Sequence, residues 1–180
     1  MNQILILDFG SQYTQLIARR LRSLHVYCEI LPFRTPVEEI LSRSPKGIIL
    51  SGGPASVYDS GAPVPDPAIL SLGVPVLGIC YGMQLIAREM GGKVRKALKR
   101  EYGFSKLGVR GSSALFGGVP KNIRVWMSHG DEVRTAPYGF KITAGTPDVP
   151  AAAMECPERG LYAVQFHPEV HHTDHGVKIL

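Results

Sequence analysis

Three short stretches carry the side chains that could do covalent chemistry. The first is Gly78-Ile79-Cys80-Tyr81-Gly82. It follows an apolar, strand-like run and precedes a helical one, the setting of a nucleophile elbow with cysteine at its tip. Such a turn exposes the thiol at a sheet edge, and its glycines let other backbone pass close by. The helix N-terminus behind it favours thiolate over thiol. Cys28 sits in a strand-like run and Cys156 beside Pro157, so both are expected to be structural.

A thiolate nucleophile needs a base and a group to orient that base. Gln165-Phe166-His167-Pro168-Glu169 offers both. Pro168 keeps His167 extended. Residues two apart in extended chain face the same way, so Glu169 can reach the His167 imidazole. The resulting order is Cys80, His167, Glu169. Acyl transfer also needs N–H donors for an oxyanion. Tyr81 opens the helix after Cys80 and supplies one. Ser51-Gly52-Gly53-Pro54 follows a strand expected beside the elbow strand, and the Gly53 N–H is the second candidate.

The elements that must position these groups alternate in the first half. Gln3–Asp8, Tyr27–Leu31, Gly47–Ser51 and Pro75–Ile79 read as strands. Thr14–Leu24, Val37–Leu41, Pro67–Leu72 and Tyr81–Met90 read as helices, with Thr14 able to cap the first and Gly91-Gly92 ending the last. Asp8 is expected to cap or hydrogen-bond the loop that follows it. This rhythm predicts an α/β fold, an open and mostly parallel sheet flanked by helices. The second half reads as strands over Lys93–Lys96, Phe104–Val109, Ile123–Met127, Lys141–Thr146, Ala151–Glu155 and Leu161–Phe166. Helices are scarce there, so antiparallel additions to the sheet are expected. Ser128–Asp131 reads as a polar turn between strands, and Gly52–Pro67 as a surface loop.

The 180 residues fit one domain, 1–180, and 44% apolar with 19% charged residues describes an ordinary globular chain, not a disordered one. Three scattered cysteines make no disulfide framework and point to a reducing compartment, so a cytoplasmic location is expected. No apolar run is long enough for a membrane span, and Met1–Gln3 has no basic leader region. The final Gly176–Leu180 reads as a helix begun and abruptly stopped, so an excised domain is expected. Lys and Arg number 20 against 15 Asp and Glu, a net charge of +5. Eight basic and two acidic residues fall between Arg88 and Arg110, so the excess is one patch on a nearly neutral chain. Only Tyr102 and Phe104 interleave it, too few aromatics for a nucleic-acid surface.

Taken together, GICYGMQ, SGGP and FHPE resemble the class I, triad-type glutamine amidotransferases, over essentially the whole chain. Leu7–Arg20 (LDFGSQYTQLIARR) and Trp126–Val133 (WMSHGDEV) resemble the branch that serves GMP synthetases. The resemblance implies a flavodoxin-like core and hydrolysis of the glutamine side-chain amide through a thioester on Cys80. It implies His167 as base, Glu169 orienting it, and Gly53 and Tyr81 N–H groups holding the oxyanion. It implies glutamine contacts from Gly52, Gln84, Ser128, His129, Gly130 and Asp131. The ammonia would go to xanthosine monophosphate on an ATP-pyrophosphatase domain or subunit. No phosphate-binding loop of that partner is present, so no cofactor is expected in this domain, and ATP and magnesium only in the partner.

The basic patch is then expected to face that partner, with Lys99 and Arg100 as its test positions. His171-His172-Thr173-Asp174-His175 is read as a solvated loop on the partner side and not as a metal site. Tyr13, Tyr58 and Tyr102 are read as packing residues. The competing readings are a glutaminase for anthranilate or aminodeoxychorismate synthesis, and a catalytically silent binding domain. The Leu7–Arg20 and Trp126–Val133 stretches argue against the first, and the intact triad argues against the second.

Overall fold

The computed structural model describes residues 3–180, and the backbone alone for 98–100. Among the described residues, nine strands form one sheet. They are β1 (Gln3–Asp8), β2 (Tyr27–Pro32), β3 (Gly47–Leu50), β4 (Val76–Ile79), β5 (Lys93–Val109), β6 (Asn122–Thr135), β7 (Lys141–Gly145), β8 (Ala153–Cys156) and β9 (Leu161–Val164). The spatial order is β2-β1-β3-β4-β9-β8-β7-β5-β6. The first five are parallel, and the pairings from β9 through β6 are antiparallel. The expected architecture is therefore present, with its switch to antiparallel pairing at β9.

Helices cover both faces. On one face, α1 (Thr14–Ser23) buries Ile17, Ala18 and Leu21 beside Ile6, Ile49 and Val164. The short α4 (Gly176–Ile179) buries Ile179 on the same face. On the other, α2 (Val37–Ser42) and α3 (Tyr81–Glu89) pack Ile40, Met83, Leu85 and Ile86 against Leu5, Leu7, Ile48 and Leu50. Strands covered on both faces read as continuous apolar runs, which is why β1, β3 and β4 were legible.

Several boundaries differ from the sequence reading. Lys93–Lys96 and Phe104–Val109 are parts of one long strand, β5, with a register shift between Lys96 and Glu101. Ser128–Asp131 is no turn: β6 runs through it, pairing Ser128 with Tyr102 and His129 with Glu101. Polar residues in mid-strand disguised a two-stranded ribbon whose inward positions line a polar site. β9 stops at Val164, short of Phe166. Pro67–Ser71 is a 3₁₀ helix.

Thr14 caps nothing. Its hydroxyl donates to Asp8 Oδ1 at 2.7 Å, and the same oxygen accepts the Gly10 N–H at 2.9 Å, so Asp8 does tie down its loop. Tyr58 and Tyr102 are 60% and 67% exposed, which corrects their reading as packing residues. The His171–His175 segment is not simply solvated. The His172 ring lies 4.6 Å from the Trp126 ring, and Thr173 is buried. Cys28 and Cys156 are buried free thiols, and burial pushes the Cys28 thiol up.

The basic stretch is partly paired within the protein. Arg95 meets the buried Glu132 at 2.6 Å, and Arg88 lies 3.6 Å from Glu89. The side chains of Lys99 and Arg100, the expected docking positions, lie outside the described residues. Among the described residues, no helix is long and apolar enough to cross a membrane.

Candidate active site

β3, β4 and β9 are adjacent and parallel, so their carboxyl ends converge, and in open α/β sheets that edge is where ligands bind. Ser51–Gly53 follows β3, Cys80 follows β4, and Gln165–Glu169 follows β9. The three stretches read from sequence thus arrive at one place for a topological reason.

Cys80 has φ +53° and ψ −104°, a conformation that costs a non-glycine residue about 1–3 kcal/mol. Its N–H donates to the Val164 carbonyl at 2.8 Å, which fixes the elbow to β9. The flanking glycines are required by contact. A Cβ on Gly78 would lie 2.5 Å from the Gly82 carbonyl oxygen, and one on Gly82 would lie 2.4 Å from the Leu50 carbonyl oxygen. Helix α3 therefore seats its first turn backbone to backbone on β3 and β4.

His167 is 3% exposed and Glu169 is fully buried. The His167 Nδ1 lies 2.8 Å from Glu169 Oε1, and the Cys80 sulfur is near enough to act on the ring's charge. Burial works against charge on this imidazole. The Glu169 carboxylate and the Cys80 sulfur outweigh it and hold the pKa up at about 10. The backbone around the pair is anchored as well. His167 N–H donates to the Trp126 carbonyl at 3.0 Å, Thr173 Oγ1 donates to the His167 carbonyl at 2.7 Å, and Arg20 Nε donates to the Glu169 carbonyl at 3.0 Å.

Gly52 forms the wall opposite. A Cβ there would sit 3.1 Å from His167 Cε1 and 3.5 Å from Cys80 Cβ. A Cβ on Gly53 would lie 2.7 Å from the Phe9 carbonyl oxygen, so this loop passes close to β1's exit. The Tyr81 N–H is at the first position of α3 and has no carbonyl one turn back to reach.

The remaining expected residues also converge. Gln84, one turn along α3, donates from Nε2 to the Asp131 carbonyl at 2.9 Å. The Cys80 thiol donates to the Ser128 carbonyl at 3.5 Å. His129 is buried and donates from Nδ1 to the Asp131 carbonyl at 3.0 Å. Burial lowers its pKa to about 4. Glu101 Oε2 lies 3.5 Å from His129 Nε2, within ion-pair range, but no hydrogen bond links them. The geometry favours a neutral imidazole there.

Two side chains at the site were missed. Gln165 is fully buried, with Nε2 3.6 Å from Cys80 Sγ and Oε1 3.3 Å from Gln84 Nε2. A glutamine closing an apolar run was the available signal, because a buried amide must find partners. Tyr13 places its ring edge-on to His167 with centroids 4.9 Å apart. Its loop crosses from β1 to α1, and no sequence pattern predicts that crossing. A strained cysteine, a buried histidine held positive by a carboxylate, and helix-end N–H groups together suit nucleophilic attack on a carbonyl carbon.

Comparisons with known proteins agree with that chemistry. The family model described as glutamine amidotransferase class-I matches residues 5–180. A protein of Elusimicrobium minutum named GMP synthase [glutamine-hydrolyzing] is 61% identical over all of this chain, which spans 36% of that relative. A protein of the same name from Syntrophomonas wolfei is 55% identical over 98% of this chain and 35% of its own. The chain thus spans about a third of the length of the curated relatives it matches. A solved structure from Thermoplasma acidophilum, described as a subunit of GMP synthase, superposes with a TM-score of 0.91 at 35% identity. It covers 99% of this chain and 90% of its own. A glutamine amidotransferase structure from Thermotoga maritima, at 21% identity and a TM-score of 0.76 over 94% of this chain and 76% of its own, shares the fold. With a family model spanning nearly its whole length and a triad of the expected types at the expected strand ends, this chain belongs to the class I glutamine amidotransferase family.

Proposed function

We propose that this chain hydrolyses the side-chain amide of glutamine and delivers the ammonia for amination of xanthosine monophosphate to GMP. The observation that carries the reading is the buried, hydrogen-bonded pair His167–Glu169 acting beside Cys80, which sits on the strained turn at the head of α3.

In this reading the Cys80 thiolate attacks the δ-carbonyl carbon of glutamine. The carbonyl π electrons move to oxygen, and the N–H groups of Gly53 and Tyr81 hold the resulting oxyanion. His167, protonated and aimed by Glu169, gives its proton to the leaving nitrogen, and ammonia departs as the carbonyl re-forms in a γ-glutamyl thioester. His167, now neutral, takes a proton from water. The hydroxide adds to the thioester and expels the Cys80 thiolate, leaving glutamate and the starting enzyme. Gly52 leaves room for the acyl group. Gln84 and the Ser128–Asp131 segment of β6 hold the amino-acid end of the substrate.

The names of the relatives support GMP formation as the destination of the ammonia, and their greater length supports a synthetase partner. The resemblance to triad amidotransferases implies that this partner is an ATP-pyrophosphatase using ATP and magnesium. The partner meets the face bearing Tyr102 and Phe104, both exposed on β5 beside Ser128. The test is glutamate release by this chain, with and without that partner, ATP and xanthosine monophosphate. Cys80-dependent glutamate that rises with the complete mixture is expected. No Cys80-dependent glutamate in either condition would overturn the reading.

A further inference from the structure

Gln165 lies outside the triad, yet it touches the sulfur. The direction of its amide is set by a chain of hydrogen bonds that begins at a group with no choice. The Asp131 backbone carbonyl can only accept, so the Gln84 atom 2.9 Å away must be its NH₂. That same NH₂ lies 3.3 Å from the Gln165 amide, whose facing atom must therefore be oxygen. Gln165 then has its own NH₂ turned toward Cys80 Sγ, at 3.6 Å. Reversing Gln84 would set its oxygen against the Asp131 carbonyl and the Gln165 oxygen, and reversing Gln165 would set two donors face to face, in a site closed to water.

Besides the charged His167 imidazole, the sulfur has two alternative neutral partners. As a thiol it donates to the Ser128 carbonyl at 3.5 Å. As a thiolate it can only accept, and Gln165 is the neutral donor available to it. Cys80 is 4% exposed, so water does little to solvate the anion. A buried anion without donors is costly.

We propose that Gln165 stabilises the Cys80 thiolate by donating from its side-chain amide, with Gln84 and the Asp131 carbonyl fixing which way that amide points. This rests on the reading of Cys80 as the nucleophile. It adds that the β6 segment expected to bind substrate also sets the polarity of the nucleophile's surroundings.

The test is the pH–rate profile of Cys80 alkylation by iodoacetamide, followed by peptide mass spectrometry on the full chain. Gln165→Leu is expected to slow alkylation about tenfold on the acidic limb, with little change on the alkaline plateau. Gln165→Met gives the same comparison if the leucine variant folds poorly. In the wild-type chain, the Gln165 Nε2 proton resonances are expected to titrate together with alkylation of Cys80. Profiles that superpose in folded variants, or resonances that ignore the state of Cys80, would overturn the proposal. Glutamate release that still depends on Cys80 would in that case leave the thioester reading standing.

Discussion

Glu169 Oε1 lies 2.8 Å from His167 Nδ1, and neither side chain is more than 4% exposed. Removed from water, the carboxylate can be satisfied only by its neighbours, so its charge is expressed on the imidazole. The second oxygen, Oε2, has no hydrogen-bond partner among the described residues. The pair is thus directed at one nitrogen, and the ring is left with Nε2 for the sulfur.

Glu169→Gln keeps the shape and removes the charge. The imidazole then loses its main reason to stay protonated, and glutamate release should fall about 10²–10⁴-fold. Steady-state kinetics should place the loss in kcat, with KM little altered.

The same pair links stability to pH. His167 is held at about 10 in the fold against an ordinary 6.5. Between those values the native state keeps a proton that the unfolded chain has lost. Its stabilising contribution is therefore complete below about pH 6.5 and is lost as pH rises toward 10. Thermal midpoints across that window should decline in the wild type and decline less in Glu169→Gln.

His129 works in the opposite sense. Its pKa is lowered to about 4, so the unfolded chain binds the extra proton between pH 4 and 6.5. Stability should fall as pH drops through that window, by roughly 3 kcal/mol in all. Denaturant unfolding at pH 4.5 and 7 would read this out, and His129→Asn should flatten the difference.

Cys80→Gly separates strain from chemistry. Glycine accepts φ +53° freely, so the variant should be about 1 kcal/mol more stable while losing roughly 10⁴-fold or more in glutamate release. Calorimetry and a glutaminase assay on the same preparation check both halves.

Two glycine-to-alanine changes should differ in kind. In Gly82→Ala the new methyl meets the Leu50 carbonyl at 2.4 Å, and overpacking of about 3 kcal/mol or a failure to fold is expected. In Gly52→Ala it meets His167 Cε1 at 3.1 Å, so the fold should survive. Displacement of the base should reduce kcat/KM about tenfold or more. Thermal denaturation beside kinetics distinguishes the two.

The parallel strands were legible because burial on both faces leaves them almost purely apolar, and the triad was legible because each member sits at a strand end where such sheets bind ligands. The β5–β6 ribbon was not. Its residues Ser128–Asp131 face a polar site, so the usual alternation of a half-buried strand breaks where function begins. Gln165 was hidden in a similar way. It reads as the next-to-last residue of a strand, and only the arrival of Cys80 and Gln84 from other elements shows what its amide does. Tyr102 reads as a packing residue, and its exposure depends on which side of the ribbon faces solvent.

The seat of α3 on the sheet has a consequence for how this domain can change. Where Gly82 rests on the Leu50 carbonyl, the reactive sulfur takes its position chiefly from main chain. Exchanging core side chains away from Leu50 and Ile86 can loosen the domain as a whole while leaving that contact in place. Loss of melting temperature and loss of turnover should therefore be separable over many core substitutions. The same arrangement lets the surrounding walls be rebuilt for other acyl donors while the attacking atom stays where the strands put it.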